Sequence, residues 1–329
     1  MKSLRIGVVG AGYISRTYHC PSLTRLKEKY PQLELAAICD MKEERARELA
    51  SRFGFGKAYT DTGEMIVSEK LHGACILVDP GNMKKVALQF IRRRIPVLLE
   101  KPPGADSSEV RELISAAEKH GVANLVALNR RFMPLARRMK ELIEHAERPP
   151  QLLSAEMLRH ERTEPEFAFG TAVHAIDLMR YLGGDVAGLR VKKLELAANK
   201  APAYIVEFDF ESGLPGRLSI LPETGMEAER YTVHGNNWTI TLEAPLDWTV
   251  DYPGRLLFFE GRKRHFIQDN RLWPESMRDH LEITGFLGEV EHFIACLAGG
   301  DRPQPSLADC LQSVEIAEAV LAGKNVKFG

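Results

Sequence analysis

The sequence lacks the features of a membrane, secreted or nucleic-acid-binding protein. Its 329 residues carry a formal net charge of −1, so there is no global electrostatic case for nucleic acid or an anionic membrane as a partner. No apolar stretch approaches the length of a membrane span, and the N-terminal apolar run is too short and too glycine-interrupted for a secretory signal. We therefore expect a cytoplasmic protein whose partner is a small molecule.

Cysteine is also scarce. The five cysteines are odd in number and scattered, with no CxxC pair, which argues against both a disulfide framework and a zinc site. We therefore expect a reducing compartment and no bound metal. A hydrophobic content of 44% and a charged content of 27% are ordinary for a globular protein, and the length favours two domains.

A glycine turn follows the first predicted strand. The strand Leu4–Val9 leads directly into Gly-Ala-Gly, and a helix is predicted from Tyr13 to about Lys29. Backbone amides at such a helix start can cradle a pyrophosphate. The usual third glycine of this pattern is Ser15, a small residue and a mild departure. The residues assigned to the cofactor here are Gly10, Gly12, Tyr13 and Ile14.

The second predicted strand ends at an acid, Asp40. A carboxylate at this place can accept hydrogen bonds from a ribose diol and would repel a 2′-phosphate, which favours NAD over NADP. Lys42 and Arg45 lie close by in the sequence and keep NADP open. Alternatively, Asp40 could cap the helix predicted over Lys42–Phe53.

Two further predicted strands also end in polar residues that we assign to the cofactor. One is followed by Asp79 and Pro80, and the unalternating apolar run Val97–Leu99 is followed by Glu100 and Lys101. Strands alternate with helices up to residue 128, which predicts an α/β dinucleotide-binding domain over residues 1–128 with a doubly wound parallel Rossmann sheet. Such sheets bind ligands at the carboxyl ends of their strands.

The second half of the chain has a different pattern of predicted secondary structure. After two predicted helices, short strands separated by Gly, Pro and Asn run from Leu189 to Gln268. This pattern predicts that residues 129–329 form a substrate-binding and oligomerisation α+β domain with a large, mainly antiparallel sheet. The basic run Arg159, His160 and Arg162 could meet a carboxylate or phosphate, although a solvated loop is the preferred interpretation.

Several of these motifs together resemble one family. The sequence is similar to the Gfo/Idh/MocA family of nicotinamide-dependent oxidoreductases in its glycine turn, its Glu-Lys-Pro at residues 100–102, its Asn-Arg-Arg-Phe at residues 129–132 and its His-Ala-Ile-Asp at residues 174–177. The resemblance implies a dehydrogenase or reductase acting on CH–OH groups, with hydride transfer between NAD(H) and a sugar, polyol or related carbonyl compound. It also implies a homodimer or homotetramer formed through the C-terminal sheet.

The chemistry of alcohol oxidation suggests roles for the matched residues. A cation must stabilise the developing oxyanion and another group must take the hydroxyl proton. Lys101 fits the first role. The resemblance implies the same, because the matching lysine of the family lies beside the substrate and the nicotinamide ribose. His174 fits the second because its ordinary pKa lies near neutral pH. The residues expected to contact the substrate are Lys101, His174, Asn129, Arg131 and Asp177. Asn129 is also assigned to the cofactor.

Gly170 departs from the family pattern. Many members carry an Asp four residues before the histidine, and this chain has Gly170 there. The missing carboxylate would orient His174 and raise its basicity, and Glu164 or Glu166 are candidates to replace it. The departure keeps two alternatives open, a non-catalytic NAD-binding regulator that responds to sugars and an NAD-dependent lyase or glycosidase with a transient redox step.

Overall fold

The computed structural model describes residues 3–196, 199–246, 248–272, 274 and 279–328. The chain divides into two compact units, one of Met1–Leu128 with Phe286–Leu311 and one of Asn129–Gly285 with Gln312–Gly329. A unit boundary therefore falls at the predicted residue 128. The prediction that all of 129–329 forms the second domain is wrong for 286–311, which pack with the first unit through contacts such as the stacked rings of Phe286 and Tyr18.

The strands form two sheets, a six-stranded one in the first unit and a nine-stranded one in the second. Their bounds follow in chain order. The strands are β1 (Leu4–Val9), β2 (Leu33–Cys39), β3 (Lys57–Tyr59), β4 (Gly73–Ile76), β5 (Val97–Leu99), β6 (Asn124–Val126), β7 (Pro150–Leu158), β8 (Val186–Leu194), β9 (Ala203–Phe210), β10 (Pro215–Leu221), β11 (Ala228–Gly235), β12 (Trp238–Glu243), β13 (Arg255–Glu260), β14 (Lys263–Asp269) and β15 (Val326–Lys327).

Eleven α-helices are interspersed with these strands along the described part of the chain. A π-helical turn, Ser15–His19, leads into the first of them, and a 3₁₀ turn at Asn129–Phe132 precedes the sixth. The helices are α1 (Cys20–Lys29), α2 (Glu43–Phe53), α3 (Thr62–Ser68), α4 (Pro80–Ile91), α5 (Ser107–His120), α6 (Pro134–Glu144), α7 (Phe167–Gly170), α8 (Val173–Gly183), α9 (His280–Ile283), α10 (Phe286–Gly299) and α11 (Leu307–Ala322).

The first unit contains the predicted Rossmann sheet. Its strands run in the order β3-β2-β1-β4-β5-β6, and every pair is parallel. The three residues of β5 are fully buried, as its unalternating apolar run predicts. Val9 pairs with both Cys39 and Ile76, and Ile76 pairs with Leu99. The strands therefore end side by side at one edge.

The second unit contains the predicted mainly antiparallel sheet. Its order is β14-β13-β12-β11-β7-β10-β9-β8-β15, and β7 with β10 is a parallel pair within it. Burial alternates along strands such as β12, as expected for a sheet covered on one face. The sequence analysis did not identify β8, because polar Lys192 and Lys193 interrupt its apolar alternation.

Arg159 is an unexpected core residue of the second unit. Its side chain is 1% exposed, so both the solvated-loop and the ligand-contact interpretations of this residue are wrong. Its Nη2 donates to the Glu229 carboxylate at 2.6 Å, and Arg130 donates to the same carboxylate through Nε at 2.9 Å and Nη2 at 2.7 Å. Burial raises the pKa of Glu229, but the two guanidinium charges outweigh it and hold the pKa at about 2.

All five cysteines are free and buried. Burial raises the pKa of both Cys20 and Cys39 to about 12, so their thiols stay protonated at neutral pH. Within the described ranges, no helix has both the length and the apolar character needed to cross a bilayer.

The Arg–Glu–Arg cluster generates a stability prediction. Glu229→Gln leaves two buried guanidinium groups without their carboxylate, so it should lower the free energy of unfolding by about 3–5 kcal/mol in urea titrations at pH 7. Glu207→Gln is the control, because this exposed glutamate pairs with Arg190 at the surface and should cost less than about 0.5 kcal/mol.

The same cluster predicts a pH dependence. The Glu229 pKa lies below its ordinary value of 4.5 in the folded chain, so the carboxylate stabilises the fold fully above that value. Its contribution should be lost as the pH falls towards 2, and the Glu229→Gln variant should lose less stability over this window than the parent chain. Identical pH profiles for the two proteins would contradict the buried ion-pair assignment.

Candidate functional site

In the first unit, four predicted cofactor segments begin at the carboxyl edge of the parallel sheet. The amide of Gly10 donates to Cys39 O at 2.8 Å and the amide of Glu100 donates to Ile76 O at 2.9 Å. These backbone bonds continue the register one residue beyond the strands. The glycine turn, Asp40, the loop before α4 and the Glu100–Lys101 pair are thereby held along the ligand edge of the sheet.

The glycine turn has the geometry that its sequence predicts. Gly10 has a φ of +95°, and a Cβ there would lie 2.2 Å from Leu77 O, so only glycine fits this close approach. A Cβ on Gly12 would meet no atom of the described residues within 4 Å, which leaves open space in front of the turn. Ser15, in the place of the third glycine, is buried and donates its hydroxyl hydrogen bond back to Gly10 O.

Asp40 holds the glycine turn from the neighbouring strand. Its Oδ2 accepts the amide of Ala11 at 2.8 Å, and its Oδ1 accepts the amide of Lys42 at 2.8 Å. Lys42, and not Asp40, is the N-cap residue of α2, so the capping alternative is wrong. The half-buried carboxylate stays beside the turn, where a ribose diol would be expected.

The remaining predicted cofactor residues of this unit are accessible. The Tyr13 side chain is 69% exposed, and Ile14 is half-buried. Asp79 is exposed, and Pro80 follows it as the first residue of α4. The open cradle at Gly12, the carboxylate of Asp40 and the helix that starts after the turn fit a dinucleotide with its pyrophosphate at the turn.

Glu100 and Lys101 form a rigid end to β5. Glu100 is 9% exposed, and its Oε2 accepts the amide of Lys101 at 2.7 Å. Lys101 is half-buried at the sheet edge. The sequence analysis assigned no role to His19, which lies beside the Glu100 carboxylate, or to Glu289, which lies beside His19. The sequence feature that could have identified His19 and Glu289 is that each is a polar residue on the apolar face of a helix.

In the second unit, the structure brings together two of the predicted substrate residues. Arg131 donates to both carboxylate oxygens of Asp177, through Nε at 2.7 Å and Nη2 at 2.6 Å. Asp177 is 1% exposed and also accepts the hydroxyl of Ser313 at 2.9 Å. Asn129 is 1% exposed, and its amide group donates to Thr284 O at 2.8 Å. Arg131 is the accessible member of this group.

His174 lies at the start of α8, where Val173 and Ala175 on either side of it are fully buried. Its imidazole is half-buried. A Cβ on Gly170, where the family pattern places an Asp, would meet no atom of the described residues within 4 Å. Glu164, a candidate replacement, accepts Arg162 Nε at 2.6 Å. Desolvation raises the pKa of Glu164, but the hydrogen bond and charge of Arg162 together with local backbone hydrogen bonds outweigh it and lower the pKa.

Comparison with known proteins agrees with this geometry. Residues 4–128 match the model of an oxidoreductase family with an NAD-binding Rossmann fold. D-apiose dehydrogenase of Paraburkholderia graminis is 23% identical over 97% of this chain and 87% of its own length. Over residues 4–128 the chain is therefore similar to the Gfo/Idh/MocA family. Myo-inositol 2-dehydrogenase of Thermotoga maritima is 26% identical over 55% of each protein, so that match spans about half of the relative's length.

Solved structures share the fold of this chain over its whole length. Levoglucosan dehydrogenase in complex with NADH and L-sorbose superposes with a TM-score of 0.84 at 20% identity, covering 100% of both chains. An oxidoreductase of Agrobacterium radiobacter in complex with NAD+, L-tartaric acid and magnesium gives a TM-score of 0.82 at 18% identity, covering 99% of this chain and 98% of the other. Identities this low establish the shared fold alone.

The glycine turn generates a binding prediction. In Gly12→Ala the new methyl group fits the protein without a clash but occupies the space that a pyrophosphate would approach. We expect NADH affinity, measured by calorimetry, to fall at least about tenfold with an unchanged melting temperature. Gly225→Ala is the control, because a Cβ there also meets no atom of the described residues within 4 Å. Unchanged NADH affinity in Gly12→Ala would contradict the cradle assignment.

Proposed function

We propose that this protein is an NAD(H)-dependent oxidoreductase that interconverts a hydroxyl and a carbonyl group on a sugar or polyol. The observation that carries the proposal is Lys101, a half-buried cation at the same sheet edge as the open glycine turn. The family match over residues 4–128 and relatives named as inositol and apiose dehydrogenases support the reaction type and the substrate class. The individual sugar or polyol is left to experiment.

NAD is the proposed cofactor form. The Asp40 carboxylate is held beside the glycine turn by two backbone amides, and a 2′-phosphate placed there would face its negative charge. Lys42 and Arg45 follow Asp40 within five residues, so both NAD and NADP belong in the assay.

Lys101 and His174 are proposed to carry the chemistry. When bound, nicotinamide accepts or donates the hydride. The ammonium group of Lys101 binds the reacting oxygen and stabilises the negative charge that develops on it. His174 takes the hydroxyl proton during oxidation and returns it during reduction, since an imidazole exchanges protons near neutral pH.

The remaining predicted substrate residues take unequal roles in this proposal. Arg131 is half-buried and keeps its predicted role as a contact to substrate hydroxyls. For Asp177 and Asn129 we propose support of the site instead of direct contact, because both side chains are 1% exposed. Asp177 fixes the Arg131 guanidinium in a two-point ion pair, a geometry that leaves little rotational freedom.

The alternatives raised by Gly170 gain no support beyond that substitution. The relatives that match most of the chain include a named dehydrogenase, which favours net oxidation or reduction over regulation or transient redox catalysis. The homodimer or homotetramer formed through the C-terminal sheet remains a prediction.

Lys101→Ala tests the proposed function directly. A panel of sugars and polyols is first screened with NAD and NADP at the NADH absorbance band. With the best substrate, the variant should lose about 10²–10³-fold in kcat because the oxyanion loses its cation, while NADH affinity changes less than about threefold. Lys84→Ala, which removes a surface lysine paired with Glu112, is the matched control.

Two results would overturn the proposal. Lys101→Ala turnover equal to that of the parent chain would remove Lys101 from the chemistry. Tight NADH binding without oxidation or reduction of any substrate in the panel would favour the regulatory alternative.

Gly170→Asp tests whether His174 is the proton-transfer group. The new Cβ meets no atom of the described residues within 4 Å, and the new carboxylate would stabilise the imidazolium form of His174. Because the neutral imidazole is required for oxidation, the acidic limb of the kcat/KM profile should move to higher pH by about one unit. Gly170→Asn, which has the same shape without the charge, should leave the limb in place. If the acidic limb of the pH profile moves equally in Gly170→Asp and Gly170→Asn, or moves in neither, His174 is not the base.

A further inference from the structure

Three buried ionisable side chains meet in the first unit beside the end of β5. His19 and Glu289 are both 0% exposed, and Glu100 is 9% exposed. His19 Nε2 lies 3.6 Å from Glu100 Oε1 and 3.9 Å from Glu289 Oε1. The other oxygen of Glu100 accepts the Lys101 amide at 2.7 Å. The groups thus form a continuous line from Glu289 through His19 and Glu100 to the Lys101 backbone.

The His19 imidazole lies between the two carboxylates of this line. Two carboxylates buried within 4 Å of one nitrogen would be costly if nothing polar faced them. The imidazole is the polar group that faces both carboxylates at once. The interaction also fixes the rotamer of Glu100, which would otherwise have to hold Lys101 with a flexible side chain.

The π-helical turn at Ser15–His19 puts His19 in this place. It is closed by the amide of Cys20 donating to Ser15 O, and its first residue, Ser15, bonds Gly10 O in the glycine turn. Its last residue, His19, faces Glu100, and Phe286 meets the His19 ring edge-on at 6.0 Å between ring centroids. Single π turns inside helices are frequent at functional sites. One turn of helix therefore contacts both the cofactor loop and the residue that holds Lys101.

We propose that His19 is a positioning residue, which acts through Glu100 to fix the Lys101 segment and is itself held by Glu289. The proposal rests on the proposed function of Lys101 for its effect on turnover. Its structural content, that His19 orders the Lys101 backbone through Glu100, is independent of that function.

The test compares His19→Leu with the double variant His19→Leu/Glu289→Leu. The single variant leaves two buried carboxylates facing an apolar side chain and should be destabilised. The double variant replaces the His19–Glu289 pair with apolar side chains, so its melting temperature should return to near that of the parent chain. In both variants, amide exchange at Lys101 should accelerate at least about tenfold, because Glu100 is no longer held in place.

Amide exchange isolates the Lys101 segment cleanly. Pro102 and Pro103 carry no amide hydrogen, so Lys101 is the last exchanging position before Gly104. In the stable double variant, kcat should remain about 10–100-fold low with NADH affinity unchanged, because the misplaced lysine affects chemistry more than cofactor binding. His19→Gln, which keeps a donor facing Glu100, should recover part of both the protection and kcat.

His72→Leu is the control, because it removes another histidine of the same unit, one whose Nδ1 accepts the amide of Arg5 at 3.0 Å. It should leave Lys101 exchange unchanged. An amide-exchange rate at Lys101 equal to that of the parent chain in the stable double variant would overturn the proposal. A kcat of the double variant that recovers to the parent value along with the melting temperature would also overturn it. If the parent chain turns over no substrate, the proposed function fails, and the exchange data alone still decide the role of His19.

Discussion

The parallel register of the first unit's sheet determines where its chemistry can lie. Because Val9, Cys39, Ile76 and Leu99 end in register, the residues that follow them emerge together at one edge. Gly10 must then pass so close to Leu77 O that a side chain is excluded there. The same edge carries Asp40 and Lys101, so the proposed cofactor recognition and the proposed oxyanion stabilisation both depend on one pattern of backbone hydrogen bonds.

Much of this unit could be predicted from the sequence because its signals are local. An apolar run ending in prolines predicts where β5 stops, and a glycine turn between strand and helix predicts a phosphate cradle. The nine-stranded sheet was predicted in type but not in full, since Lys192 and Lys193 hide the apolar alternation of β8. Polar residues on a strand carry no local sign of whether a neighbouring strand covers them.

Long-range pairing explains what sequence reasoning missed. Arg159 looks like part of a charged loop until Glu229, 70 positions away, is placed against it. Asp177 carries no local sign that Arg131, 46 positions away, donates to both of its oxygens. His19 and Glu289 are 270 positions apart, and residues 286–311 pack with the first unit although they follow the second in sequence. In each case the partner lies far away along the chain, and sequence spacing predicts only contacts between nearby residues.

The buried cysteines give this protein a practical property. Because all five thiols are shielded and the pKa values of Cys20 and Cys39 are raised to about 12, maleimides and mild oxidants find no accessible thiolate on the folded chain. A cysteine introduced at an exposed position such as Tyr13 would therefore react selectively. The chain can thus carry a fluorescent reporter beside the glycine turn without labelling of its own five cysteines.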